Sequence, residues 1–404
     1  MLNKKEFRIL VLDDEPFMLK LLSRILTNQG YLNVATCDSG QAALVVIDDQ
    51  NQRPDLILLD INMPQMDGIE FVRHLVEHNY PGALILVSGE DERVLQSIEK
   101  LVKAHQITVL GYLNKPVAPE RLAALVASCV LPSLEAIKRS KKVYGEETLR
   151  AAIVNGELVN FYQPKVAIAS GEMVGAETLV RWQHPTDGLV FPDQFIGVAE
   201  QCGLIDDVTR AVLAAALPQA KLWQDDGLSL RLAVNLSMDN LLSLSFLDYV
   251  VNLTTEMGVR PQNLVLEVTE SRLMQDPRVA LEILTRLRLK RFRLSIDDFG
   301  TGNSSLTQLR DIPFDELKID QSFVHGAWTN ETQRAMFDAS LGLAKQLNME
   351  TVAEGVEDLA DWTFLRQQTC DIAQGYFIAR PMPAENLPAW MLEWQERCKQ
   401  LIRP

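Results

Sequence analysis

Throughout this chain a short apolar run ends in a carboxylate, an amide or a lysine and gives way to a helical stretch. Few folds accept that rhythm. Runs of four to eight apolar residues suit strands buried on both faces, which means a parallel sheet with helices packed over it. Such sheets collect their functional side chains at the C-terminal strand ends. The rhythm occurs as two series, so two α/β domains are expected from the 404 residues.

The first series has five strands. Residues 7–12 run into Asp13, Asp14 and Glu15, and a helical pattern follows over 16–29. Residues 33–37 come next, with Ser39 placed to cap a helix. Residues 56–59 end at Asp60, 83–87 at Ser88, and 109–113 at Asn114, Lys115 and Pro116. The spacing predicts a doubly wound parallel sheet. Asp13, Asp14 and Asp60 would converge from two strands, a set able to hold one Mg²⁺. A lysine and a hydroxyl from two further strands could hold a phosphoryl group.

The second series begins near residue 161 and has eight strands, most separated by helical stretches such as 209–224 and 277–289. Eight strands in about 250 residues predict a TIM-type barrel. Its strand ends would carry Glu177, Asn235, Glu267, Asp297 with Asp298, Lys318, Glu354 and Gln374. The adjacent pair Asp297-Asp298 is the sharpest signal. Neighbouring strand residues point to opposite faces, so both acids reach one site only where the strand ends and the backbone turns. Crowded carboxylates need a proton or a cation between them, and for oxygen ligands that cation is Mg²⁺ or Mn²⁺.

A net charge of -15 argues against a nucleic-acid backbone as principal partner. The five cysteines are scattered with no CxxC pair, which excludes zinc ribbons and suggests reduced thiols in a cytoplasm. The N-terminus has no signal-peptide core and no apolar run reaches membrane-span length, so a soluble cytoplasmic chain is expected. Residues 131–142 read as a helix with a short basic run, a solvated connection between domains. Residues 390–402 read as an amphipathic final helix. Neither region carries a DNA-binding motif.

The acids, hydroxyl and lysine of residues 6–128 resemble the receiver domains of bacterial response regulators, which have a flavodoxin-like fold. The resemblance implies Asp60 as phospho-acceptor, with Mg²⁺ held by Asp13, Asp14 and Asp60 and helped by the Asn62 carbonyl. Ser88 and Lys115 would contact the phosphoryl oxygens and Tyr112 would be the aromatic switch. The Lys115-Pro116 bond would be cis.

After a linker helix at 129–145, residues 146–404 resemble the EAL-domain phosphodiesterases that hydrolyse cyclic di-GMP. The likeness rests on Glu177-Thr178-Leu179-Val180-Arg181, Asn235-Leu236-Ser237, Glu267-Val268-Thr269-Glu270 and Asp297-Asp298-Phe299-Gly300-Thr301-Gly302. It continues in Lys318-Ile319-Asp320, Glu354-Gly355-Val356-Glu357 and Gln374-Gly375-Tyr376. It implies two metals, Mg²⁺ or Mn²⁺, held by Glu177, Asn235, Glu267 and Asp297 and by Asp297, Asp298 and Glu354. It implies Lys318 or Glu354 as base, and Gln163, Arg181, Lys318 and Gln374 as substrate contacts. Glu357 would orient a ligand, and Glu270 would tether the loop after Asp297.

Two positions depart from the family pattern. Thr178 stands where Ala is usual and should face away from Glu177. Asn303 stands where Tyr is usual. The implied partners are cyclic di-GMP, a sensor histidine kinase and further copies of the chain as homodimer or homotetramer, with no direct DNA binding and no membrane. The alternative is a barrel that senses cyclic di-GMP without cutting it.

Overall fold

The computed structural model describes residues 4, 6–49, 53–78, 80–89, 95, 98, 102, 107–130, 144–269, 277–300 and 306–401. The chain divides into two compact units, Met1–Lys141 and Lys142–Pro404. The expected interdomain helix at 131–142, Glu270 and Asn303 lie outside the described residues.

The first unit is a five-stranded sheet of β1 (Arg8–Leu12), β2 (Asn33–Cys37), β3 (Leu56–Asp60), β4 (Ala83–Ser88) and β5 (Thr108–Asn114). Its order is β2-β1-β3-β4-β5, and every pairing is parallel. Successive residues of β1 and β3 feed opposite faces. Leu10, Leu12, Ile57 and Leu59 join one core, whereas Ile9, Val11, Leu56 and Leu58 join the other. That double burial explains why these strands read as unbroken apolar runs. Ser39 does sit at the N-cap of the helix Gly40–Asp48, but its side chain makes no capping bond. Its hydroxyl lies 3.4 Å from Asp38 Oδ1 instead. Asp67 caps the helix Gly68–Glu77 by accepting from the Glu70 N–H at 2.8 Å. A Cβ on Gly68 would lie 2.9 Å from the Asp60 carbonyl oxygen, so only glycine lets this helix start against the end of β3.

The second unit is an eight-stranded barrel, with one important departure from eight parallel βα repeats. Its strands are β6 (Leu158–Ala167), β7 (Met173–His184), β9 (Arg231–Leu236), β10 (Leu264–Thr269), β11 (Arg293–Phe299), β12 (Glu316–Ile319), β13 (Glu350–Ala353) and β14 (Ile372–Ala373). A short strand, β8 (Gly188–Val190), pairs with the end of β7 outside the ring. From β7 to β14 the neighbours in the ring run parallel, but β6 is antiparallel to both β7 and β14 and closes the barrel between them. The first crossing is therefore a hairpin, and Gln163 reaches the interior from mid-strand, opposite Glu177. Helices including Ile205–Asp225, Leu244–Glu256, Pro277–Leu289, Glu331–Gln346 and Leu359–Gln368 cover the outside. Trp223, Phe246, Phe292, Phe337 and Trp362 are buried in the barrel unit's main core. The final helix is Leu387–Leu401. Among the described residues, no helix is long and apolar enough to cross a membrane.

Candidate active site and receiver site

The barrel site is built around a buried ammonium. Lys318 projects from β12 and is 1% exposed, which for a lysine demands compensation. Its Nζ lies 2.8 Å from Glu354 Oε1, 3.0 Å from Glu267 Oε2, 3.0 Å from Asp297 Oδ1 and 3.9 Å from Glu177 Oε2. Burial alone would discharge it, but Asp297, Glu177, Glu267 and Glu354 together hold its pKa well above that of a free lysine. Four different strands or strand ends thus aim carboxylates at one point.

The acids respond differently to the same crowding. Burial and the negative neighbours Asp297 and Glu177 outweigh Lys318 and push Glu354 up to about 8. Burial, with Asp297 and Asp320 nearby, pushes Asp298 up to about 6. Burial also raises Glu177, whose neighbours Glu267 and Asp297 add to it against Lys318. Glu267 goes the other way. Burial favours its neutral form, but Lys165 and Lys318 hold it down to about 2.

How two consecutive aspartates share one site is visible in the backbone. Asp298 has φ +54°, in the left-handed region, and the register between β11 and β12 slips between Ile296 and Phe299. A side chain at positive φ is uncommon and gathers at functional sites. The turn brings one oxygen each of Asp297, Asp298 and Glu354 within 4.8 Å of one another. An all-oxygen set of this density suits a hard divalent cation, so the residues fit the Mg²⁺ or Mn²⁺ expected from the sequence.

The amides form a second layer. Asn235 donates to Glu177 Oε1 at 2.9 Å, and Gln374 donates to Glu177 Oε2 at 2.6 Å. Gln374 also donates to Gln163 Oε1 at 3.0 Å, and Gln163 donates to the Ala379 carbonyl at 3.1 Å. Gln374 Oε1 is buried with no hydrogen-bond partner. Gly375 lets this strand end approach its neighbour, because a Cβ there would fall 2.2 Å from Val356 N. Arg181 lies between the Phe161 and Phe191 rings, 5.6 and 5.1 Å from their centroids, and donates to the Val180 carbonyl. Glu357 and Tyr376 line the same pocket as Glu177, Asp297, Lys318 and Glu354. Thr178 lies in the wall of a different cavity with Val208 and Val212, as expected for the opposite strand face.

Two charged residues beneath the site were not singled out from sequence. Lys165 on β6 is buried and contacts Glu267 Oε1 at 2.6 Å and Glu316 Oε1 at 3.3 Å. The available signal was spacing. Lys165 stands two residues from Gln163 and Glu316 two from Lys318, so each shares a strand face with a recognised site residue.

In the receiver unit, Asp13, Asp14 and Asp60 form a second oxygen cluster within 4.8 Å. Lys115 Nζ lies 2.9 Å from Asp13 Oδ2 and 3.0 Å from Asp60 Oδ2. Burial raises the Asp60 pKa and Asp13 adds to it, while Lys115 opposes both. Ser88 is buried at the end of β4, in register with Asn114 beside Lys115. The Asn62 N–H points to Asp60 Oδ1 at 3.4 Å. Tyr112 is half-buried under the Arg121 guanidinium, and the Lys115-Pro116 peptide is cis.

Comparison with known proteins follows this division. Residues 9–127 match the response regulator receiver domain model, and residues 146–381 match the EAL domain model. The cyclic di-GMP phosphodiesterase RocR of Pseudomonas aeruginosa is 31% identical over 395 residues, covering 94% of this chain and 97% of that protein. The bifunctional diguanylate cyclase/cyclic di-GMP phosphodiesterase MucR of the same organism is 43% identical over 242 residues, which are 60% of this chain and 35% of that protein. A solved structure described as the PaMucR phosphodiesterase in complex with c-di-GMP is 42% identical, with TM-score 0.57, covering 60% of this chain and 98% of that one.

Proposed function

This chain belongs to the EAL-domain family and carries a response regulator receiver domain ahead of the barrel, and on that premise we propose that it hydrolyses cyclic di-GMP to linear pGpG under the control of phosphorylation at Asp60. The observation that carries the reading is the convergence of Glu177, Glu267, Asp297 and Glu354 on one point, with Asp298 turned in beside them. The full-length likeness to RocR supports both the substrate and the pairing of domains.

Glu177, Asn235, Glu267 and Asp297 would hold one divalent cation, and Asp297, Asp298 and Glu354 a second. When bound, Mg²⁺ or Mn²⁺ there supplies an acidified water and neutralises the phosphate charge. The chain's own groups then manage protons. We assign the proton of the attacking water to Glu354 Oε1, which lies 2.8 Å from Lys318 Nζ and so has a route to pass it on. Water oxygen bonds to phosphorus as the P–O3′ bond breaks. Lys318 Nζ protonates the departing 3′ oxygen and regains a proton from Glu354, 2.8 Å away. Arg181 clamps a phosphate oxygen, and the Gln163–Gln374 pair positions Glu177 or a guanine edge.

In the receiver, Asp60 attacks phosphorus as a carboxylate nucleophile while the donor's bond to phosphorus breaks, P–N in a phosphohistidine or P–O in acetyl phosphate, and Asp13 and Asp14 would hold Mg²⁺ beside it. Lys115 pairs with the phosphoryl oxygens, Ser88 bonds one of them, and Tyr112 repacks. The phosphate donor is a sensor histidine kinase. The test is nucleotide chromatography after incubation with cyclic di-GMP and Mg²⁺ or Mn²⁺, with and without acetyl phosphate. pGpG and a rate that responds to acetyl phosphate support the reading. Retained nucleotide binding without product would replace it with a sensor.

A further inference from the structure

The loop that presents Glu354 and Glu357 to the pocket is held at its start by the Glu354 N–H on the Ile319 carbonyl at 3.0 Å and in its middle by the Val356 N–H on the Gln374 carbonyl at 3.1 Å, but neither bond reaches its far end at Glu357. A fully buried carboxylate does. Asp361, on the first turn of the helix Leu359–Gln368, is 0% exposed and has no lysine or arginine against it among the described residues. Its Oδ2 accepts from the Glu357 N–H at 3.1 Å and lies 2.8 Å from His325 Nδ1, while Oδ1 accepts from the Gly326 N–H at 3.1 Å. Three partners from two loops therefore converge on one side chain. The loops are those following β12 and β13, which carry Lys318 and Glu354. They touch again nearer the pocket, where a Cβ on Gly355 would fall 2.2 Å from Gln321 Cβ.

We propose that Asp361 and His325 form a clasp that sets the position of the Glu354–Glu357 segment relative to Lys318, so that His325 is a positioning residue for phosphodiester hydrolysis. The inference rests on the phosphodiesterase reading above. Its physical basis is that a buried carboxylate needs full hydrogen-bond satisfaction. In the structure both loops contribute to that satisfaction, so the shared carboxylate ties the Glu357 end of one to the His325–Gly326 turn of the other. His325 is about half exposed, so its side chain is not required to fill a core. Its Nε2 lies 4.0 Å from Glu357 Oε2, and Asp361, Glu357 and Asp358 are the charged groups that face the ring. A displacement of about 1 Å in catalytic groups can cost up to about 100-fold in rate.

The experiment uses the full chain with cyclic di-GMP and Mg²⁺, comparing His325→Ala with His325→Asn, whose amide N–H can replace Nδ1–H. His325→Ala is expected to lower kcat about tenfold with KM within about twofold, in a protein that still unfolds cooperatively but at a somewhat lower temperature because Asp361 has lost a donor. His325→Asn is expected to recover most of the loss. In parallel, hydrogen exchange at the Glu357 and Gly326 amides should speed up in the Ala variant and return toward wild type in the Asn variant. Wild-type kcat in His325→Ala, or no recovery in a folded His325→Asn, overturns the clasp. Exchange rates unchanged in His325→Ala overturn it as well, even if the wild-type protein proves not to cleave cyclic di-GMP, an outcome that sinks the functional reading separately.

Discussion

Lys165→Met removes one ammonium from beneath the active site while keeping the length of the side chain. Lys165, Glu267 and Glu316 are all at most 5% exposed, and Lys165 Nζ touches both acids. Glu316 has no other ion-pair partner among the described residues, while Glu267 keeps Lys318. Deleting one member of a buried ion pair costs about 3–5 kcal/mol, because the remaining charge is stranded away from water. The barrel should therefore lose about that much in a urea unfolding experiment on the full chain, followed by tryptophan fluorescence. All six tryptophans lie beyond residue 181, so the signal reports the barrel. Adding Glu316→Gln should restore part of the loss, since the stranded charge is then gone. A loss below about 1 kcal/mol in the single variant would refute the reasoning. Equal losses in the single and double variants would show that Glu316 is not the residue left stranded.

Other consequences are independent of that network. Gly375→Ala should lower the melting temperature and abolish activity, because its Cβ would sit 2.2 Å from Val356 N and 2.3 Å from Val356 O, rigid backbone atoms. Glu350 is held below the usual glutamate range: Arg231 and Arg293 overcome the effect of burial. Its stabilising contribution is therefore complete above the ordinary glutamate pKa and disappears as pH falls through the depressed value. Acid melting curves should separate wild type from Glu350→Gln at neutral pH and converge at low pH. Asp60→Asn should prevent the mass gain of one phosphoryl group on incubation with acetyl phosphate, while the barrel's melting transition stays in place.

In the receiver sheet the strand ends were readable because burial on both faces leaves polar residues little other place. That is why β3, entirely buried, announces Asp60. In the barrel, by contrast, Glu177 and Glu267, expected at strand ends, sit inside β7 and β10 and face the interior. Asp297-Asp298 required a backbone turn, met by the positive φ of Asp298. Strand direction was not readable. An apolar run looks the same in either sense, so the antiparallel β6 emerged only from its pairing with β7 and β14. Lys165 and Glu316 stayed hidden for a related reason. Each looks like an ordinary polar residue in a strand until register brings together positions 151 residues apart. Asp361 is similar: it reads as a helix-start acid and proves to be the shared acceptor for two loops. Local chemistry was legible in the sequence, whereas long-range pairing was not.

The central claim is that the carboxylates around Lys318 form a divalent-metal phosphodiesterase centre. Asp297→Asn addresses it most directly, since Asp297 belongs to the three-acid oxygen cluster and contacts Lys318 at 3.0 Å. The measurement is pGpG formation from cyclic di-GMP at saturating Mg²⁺ or Mn²⁺, with metal binding followed by calorimetry on the same preparations. Turnover in the wild type that is lost with a chelator and restored by metal, together with its absence and weakened metal binding in folded Asp297→Asn, is the expected result. Wild-type turnover in the variant, or wild-type turnover that survives the chelator, would contradict it.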